Sequence, residues 1–439
     1  MFSPRPSGAR RSLVRFLAEA RRSGRDGLVV SGHHNTNRIA RLRQPLAFLL
    51  GAESGKVLAK FRTPRPTVEV VPRIWRRESE VLRVVGAHLG EVPGCLADFG
   101  TWSLHEYLEG RVLADENPAE PVGGARLWEL ADFFARLAGV PVDELPPLPG
   151  DWPEEGDSLG FLSWLARFAE REVYQSNRSR FGGLFSAVGI PADAVDRFMG
   201  SVPGLTRRPF ALLHTDVHRA NVVVVPGPAG ERLSVIDWEL ALYGDPLHDL
   251  ATHLVRMNYD KTEQDRMTAM WTDAMRRAGH ERMTAGLDED LPVYLGFEYA
   301  QSVYPDVMRA ALALPSHPGE EDFSHAAGCV AEALRRAREP LRLTEEVPDT
   351  RDVGAALRKW HAADTANQTE KSGAGREPGP GSGPRPDAGP GKGSRSGPPG
   401  TPAGPERARR TALGERMSCG RRLGRPDASD RMEPVGVGG

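Results

Sequence analysis

Residues Arg208 to Leu254 read RPFALLHTDVHRANVVVVPGPAGERLSVIDWELALYGDPLHDLATHL. The apolar run Phe210 to Leu213 leads into a polar cluster containing His214, Thr215, Asp216, His218, Arg219 and Asn221. Four valines follow, Val222 to Val225, then a Pro-Gly turn and a second apolar run ending at Ile236 and Asp237. β-Branched runs on either side of such a turn predict a hairpin. Asp216 and Asn221 stand at D-x-x-x-x-N spacing before it, and Asp237 stands at its far end. Asp245 before Pro246 predicts a helix start, with the carboxylate as N-cap and proline in the first turn. Asp249, on that helix, is expected to brace the polar loop.

These residue types suit phosphoryl transfer, which needs a hydroxyl held in line, a metal on the phosphates and cations on the developing charge. Asp216 offers a carboxylate to take the acceptor hydroxyl's proton. Asn221 and Asp237 offer hard oxygen donors of the kind magnesium prefers. His214 is expected to fix the loop by hydrogen bonds, and His218 and Arg219 to lie near the phosphates. Each element alone is ordinary turn chemistry; the joint spacing is specific. A different reading starts from the alternation of His214, Asp216 and His218. An extended backbone would put the three on one face, a plausible transition-metal set for a hydrolase. It leaves Asn221 and Asp237 without a role.

Working outward, the chain has 439 residues, room for two or three domains, with an ordinary soluble composition of 39% hydrophobic and 26% charged residues. No apolar run of about 18 residues indicates a membrane span. The basic N-terminus lacks a signal-like apolar run, and Leu13, Phe16, Leu17 and Ala20 instead fall at helical spacing. Cys95, Cys329 and Cys419 are odd in number and far apart, which suggests neither a disulfide framework nor a thiolate metal site and points to a reducing cytoplasm. A monomer or dimer is expected. From residue 364 to 439 the chain turns to Pro, Gly and Arg and is expected to be disordered. From Asn367 onward 13 Lys+Arg face 8 Asp+Glu, whereas the preceding residues carry 44 and 51. An acidic body argues against nucleic-acid binding.

Residues 1–110 are expected to form a small antiparallel sheet with a helix against it. Leu28 to Val30, Arg38 to Leu42, Lys56 to Arg62 and Leu96 to Leu108 read as strands, the last broken near Gly100. Trp75 to His88 reads as a helix. Only six of the 57 basic residues are lysines, so Lys60 in an apolar strand is unusual. Glu78, or less favourably Glu80, is the expected partner that aims its ammonium at nucleotide phosphates. The turn from Ser31 to Asn37, with Gly32 and His33, has one glycine, but its amides suit phosphates. Gly51 to Val57 is too short for a Walker loop and lacks its Ser/Thr. Residues 111–363 read as mainly helical, with helices over Ala125 to Ala138, Leu159 to Val173, Asp245 to Met257, Glu263 to Arg277, Tyr294 to Leu312, Ser324 to Arg338 and Val353 to Ala363.

Together, Leu213-His-Thr-Asp-Val-His-Arg-Ala-Asn221, Val235-Ile-Asp-Trp-Glu239, Gly244-Asp-Pro-Leu-His-Asp-Leu-Ala251 and Arg77-Glu-Ser-Glu-Val-Leu82 resemble the aminoglycoside phosphotransferase and choline kinase-like family. The resemblance spans roughly residues 25–363 and implies an α+β, two-lobed protein-kinase-like fold. It implies a hinge at Leu104 to Gly110, whose backbone at Glu106 to Leu108 would hold adenine, and ATP or GTP with Mg2+. Thr215 and Arg219 depart from the family's common glycine and proline, but neither removes a catalytic group. The implied acceptor is a small-molecule hydroxyl, of an aminoglycoside, another antibiotic or a metabolite. A polycationic aminoglycoside would want acidic lining, which Asp288 to Asp290, Glu298, Asp306 and Glu320 to Asp322 are candidates to provide. A kinase fold working only as a binding module is the third reading, disfavoured by the full set of catalytic side chains.

Overall fold

The computed structural model describes residues 8–23, 27–31, 35–51, 58–64, 71–90, 92–117, 120–228, 230–343 and 348–374. Helix α1 (Gly8–Arg22) precedes strands β1 (Leu28–Ser31) and β2 (Asn35–Arg41). Helix α2 (Leu46–Leu49), β3 (Leu58–Pro64), α3 (Glu78–His88), β4 (Cys95–Asp98) and β5 (Ser103–Glu106) follow. The strands form one antiparallel sheet in the order β1-β2-β3-β5-β4. Side chains alternate across a strand. Ala59 and Phe61 of β3 and Leu104 of β5 join Val14 and Ala18 of α1 in a small apolar core. Lys60 and Arg62 therefore project from the other face, where Arg62 meets Glu78 at the start of α3.

The larger lobe opens with β6 (Arg111–Val112), α4 (Gly124–Ala138) and α5 (Ser158–Phe168), which passes into a π-helical stretch, Ala169–Gln175. Next come α6 (Ser176–Ala187), α7 (Ala194–Met199), β7 (Ala211–Leu213), β8 (Val222–Gly227), β9 (Gly230–Val235) and β10 (Leu242–Gly244). Helices α8 (Pro246–Arg256), α9 (Lys261–Arg277), α10 (Leu287–Leu312), α11 (Glu320–Ala337) and α12 (Thr350–Ala374) complete it. A continuous apolar core links α4, α5, α8, α10 and α11. β8 and β9 form the expected hairpin, with Val222 opposite Val235 and β6 on the outer edge of β8. β7 pairs with β10. None of the helices among the described residues is long and apolar enough to cross a membrane.

The fold is the expected two-lobed α+β architecture, with local corrections. Asn35 to Asn37 belong to β2 rather than to a turn, because they pair with Arg62 to Pro64 of β3. The apolar run after Pro45 is the short α2. Helices α6 and α7 are additional to those expected, and α12 continues past Ala363 to Ala374.

Gly110, just before β6, lies against β8. A Cβ there would sit 2.4 Å from the Val224 carbonyl oxygen and 2.9 Å from Val223 Cγ1. A carbonyl in a paired strand cannot step aside as a side-chain tip can. Gly110→Ala is expected to lower stability by about 1–3 kcal/mol, read from the urea denaturation midpoint; an unchanged midpoint would contradict this packing.

Candidate active site

The loop between β7 and β8 is held from α8. Asp249 accepts the backbone N–H groups of His214 and Thr215, one on each oxygen, both at 2.8 Å. Burial pushes its carboxyl up to about 7 against the pull of those amides. Thr215 adopts φ 59°, a conformation that favours glycine. Its hydroxyl offsets the strain by donating to the Leu240 carbonyl at 2.7 Å. His214 is fully buried against Trp238, with ring centroids 4.6 Å apart. Its Nδ1 accepts the Asp216 N–H at 3.2 Å, and burial lowers its pKa to about 4, leaving it neutral. It packs inside the loop and accepts from it.

Asp216 lies at the centre of this loop. Asn221 donates its amide nitrogen to Asp216 Oδ2 at 2.9 Å and to the Asp216 carbonyl at 3.0 Å. That fixes the amide, leaving Asn221 Oδ1 as a donor for a cation. Arg256, the last residue of α8, takes Asp216 Oδ1, and His218 Nε2 lies 3.4 Å from the same oxygen. Burial raises the Asp216 pKa, but Arg256 and His218 outweigh it and hold the carboxyl well below the usual range. Arg219 donates to the Glu120 carbonyl at 3.1 Å.

The hairpin brings Asp237 to the same end as Asn221, whose carbonyl accepts the Ile236 N–H at 2.9 Å. Asp237 stands in the left-handed region at φ 73°, a conformation that costs other side chains more. Its Oδ1 receives Arg62 at 2.6 Å. The same guanidinium reaches Glu78 Oε2 at 2.8 Å and Glu239 Oε2 at 2.8 Å. Glu78 Oε1 also accepts the Trp238 N–H at 2.9 Å. One buried arginine thus joins β3, α3 and the segment after β9. The carboxylates more than offset its burial and raise its pKa. Arg62, with Lys60, in turn holds Asp237 below its ordinary value against burial.

The ion pair expected of Lys60 with Glu78 is made by Arg62. Both side chains lie on one face of β3, two residues apart, and the longer, forked guanidinium spans three carboxylates. Lys60 remains beside them; burial and the Arg62 charge lower its pKa, while Asp237, Glu78 and Glu239 oppose that shift. Glu106 ends β5, with its N–H on the Gly94 carbonyl at 2.9 Å and its carboxylate on the Gly94 N–H at 3.1 Å. Leu108 lies half-buried in the crossing loop. Gly32 and His33 lie outside the described residues. Asn221 and Asp237 are hard oxygen donors, and their chemistry fits a magnesium ion. The alternating His214, Asp216 and His218 do not make a metal set: His214 is buried with Nδ1 engaged, and His218 Nδ1 accepts the Ala220 N–H at 3.2 Å. No cluster of three His, Cys, Asp or Glu ligands occurs among the described residues.

Residues 37–285, more than half of the chain, match the model of the Phosphotransferase enzyme family, APH, and the chain belongs to that family. None of the curated proteins matches the sequence. Among solved structures, a choline/ethanolamine kinase family protein from Mesorhizobium loti is 17% identical, with a TM-score of 0.42 over 79% of this chain and 98% of that one. The choline kinase LicA from Streptococcus pneumoniae is 15% identical, with a TM-score of 0.43 over 75% and 99%. A Plasmodium vivax ethanolamine kinase is 11% identical, with a TM-score of 0.44 over 73% and 85%.

Arg62→Met would leave Glu78, Asp237 and Glu239 facing one another with their shared guanidinium gone. The expected loss is about 3 kcal/mol of stability, measured by urea denaturation, with Arg62→Lys recovering only part because an ammonium cannot span all three. Equal stability of the methionine variant and the parent would refute the bridge.

Proposed function

We propose that this chain transfers the γ-phosphoryl group of ATP or GTP to a hydroxyl of a small molecule. The observation that carries this reading is the convergence of Asp216, Asn221 and Asp237 at one end of the β8–β9 hairpin, tied by Arg62 to the strand bearing Lys60. Family membership supports the reaction class. Asn221 and Asp237 would hold magnesium, which supplies charge neutralisation on the phosphates. Lys60 would add a cation to the nucleotide phosphates, while Arg62 and Glu78 keep β3 and α3 in register with Asp237. The backbone at Glu106 to Leu108 would receive the base.

In the transfer, the acceptor O–H bond breaks and its proton passes to Asp216. The acceptor oxygen forms the new bond to phosphorus, and the bridging P–O bond breaks with its electron pair leaving on the nucleoside diphosphate. His214 and Asp249 act through the loop geometry. His218 stands beside Asp216 and is the remaining loop cation candidate; Arg219, turned toward Glu120, is not assigned a phosphate contact. A cytoplasmic enzyme, monomeric or dimeric, fits this reading.

Calorimetric titration with a non-hydrolysable ATP analogue and magnesium tests the nucleotide half, and an acceptor screen with the full chain tests transfer. No nucleotide binding and no turnover on any hydroxyl would refute the proposal. Asp216→Asn is expected to lower kcat by roughly 10²–10⁴ while leaving nucleotide affinity near that of the parent. Undiminished kcat would remove Asp216 from the role of base.

A further inference from the structure

The acidic residues expected to line an aminoglycoside pocket are mostly committed elsewhere. Asp290 is buried, accepting the Thr206 N–H at 2.9 Å and an ion pair from Arg208. Glu298 is buried, with Gln301 at 2.6 Å and His248 at 3.6 Å. Asp306 pairs with Arg309 at 3.2 Å and Arg336 at 3.8 Å. Glu320 pairs with Arg358, and Asp322 caps the Gly319 N–H at 2.8 Å. The helical lobe presents charges of both signs to Asp216, with the buried Glu298 of α10 interacting with both Arg256 and Asp216. Arg256 holds Oδ1, and Arg309 on α10 lies close enough to interact electrostatically with both Arg256 and Asp216.

Both Asp216 oxygens are therefore engaged. Oδ2 takes Asn221, whose contact closes the loop on itself and is buried. Oδ1 takes Arg256, whose side chain is 25% exposed at a helix end. Each carboxylate oxygen keeps a second lone pair, but an acceptor hydroxyl approaching Oδ1 meets the guanidinium beside it, and Arg256, partly exposed at a helix end, is the partner placed to turn away. A guanidinium gives up one carboxylate most readily for another anion that it can grip in the same forked way. A neutral alcohol offers no such exchange, and a polycation would meet Arg256 directly in front of the carboxylate.

Resting on the phosphotransferase reading, we infer that the acceptor carries an anionic group beside its hydroxyl, a carboxylate or a phosphate. Arg256 moves from Asp216 to that group as the acceptor binds. The substrate thereby unmasks its own base, and Arg256 becomes the residue that selects the substrate class.

The test uses the full chain loaded with magnesium and a non-hydrolysable ATP analogue. It is titrated calorimetrically with matched probes: glycerate against glycerol, malate against its diamide, and the aminoglycoside hygromycin B. The acids are expected to bind more tightly than their neutral partners, and hygromycin B not at all. Arg256→Gln should weaken acid binding by about tenfold or more, Arg256→Lys by less, with nucleotide affinity and thermal midpoint retained. The inference is overturned if the acids do not bind, if glycerol or hygromycin B binds as well as they do, or if Arg256→Gln binds them as the parent does. A parent protein that fails to take the nucleotide would instead sink the phosphotransferase reading on which the inference rests.

Discussion

The ion cluster around Arg62 is the constraint on which the two lobes depend. A guanidinium only 4% exposed must be fully paired, because an uncompensated buried charge costs several kcal/mol. Its partners come from separate elements: Glu78 opens α3, while Asp237 and Glu239 follow β9 in the other lobe. Satisfying the arginine therefore fixes the approach of α3 to the end of the hairpin. Arg73 adds a second contact to Glu239 at 3.3 Å. Such a cluster is weak evidence for net stability, since hydrophobic packing of equal volume often does as well. Its value lies in geometry: a planar fork accepts few arrangements of three carboxylates.

A second device does for the catalytic loop what Arg62 does for the lobes. The loop breaks from β7 with His214 and Thr215 amides that have no strand partner. Asp249 receives both, and it is itself carried on α8, whose start is capped by Asp245 through the Leu247 N–H at 3.0 Å. Asp245 is in turn buried against Arg208 at 2.7 Å and Tyr294 at 2.8 Å. The position of Asp216 thus follows from a chain of satisfied buried polar groups reaching into the helical lobe, where each missing partner would carry a desolvation cost.

What was legible in the sequence follows the range of the interactions. Asp216, Asn221 and Asp237 were readable because they flank one hairpin, and a hairpin's register is set locally by its turn and by alternation. The cap at Asp245 was readable for the same reason. Lys60 and Glu78 are legible as residue types, but not that Arg62 rather than Lys60 meets Glu78. Period two puts Lys60 and Arg62 on one face, and only the set of α3 against β3 decides which reaches Glu78. Arg62 and Glu239 were hidden among common residue types, and Arg256 meets Asp216 across 40 positions with no local signal. Helix α6 escaped notice because its polar and apolar residues are poorly segregated, with Gly182 and Gly183 within it.

Asp216 and Asp237 illustrate how partners rather than residue type assign roles. Each is a carboxylate held below its ordinary pKa, and each has one oxygen on an arginine. Arg62 is buried and shared with two other carboxylates, and it takes Oδ1 of Asp237. Arg256 sits at a helix terminus with a quarter of its side chain exposed, and the exchange we propose for it would release Asp216. A fixed carboxylate suits a metal, whose ligands must keep their places through turnover. A carboxylate that can be released suits a base, which must be charged at rest and able to accept a proton when the acceptor arrives. The difference between the two aspartates thus lies in the burial and sharing of the two arginines that hold them.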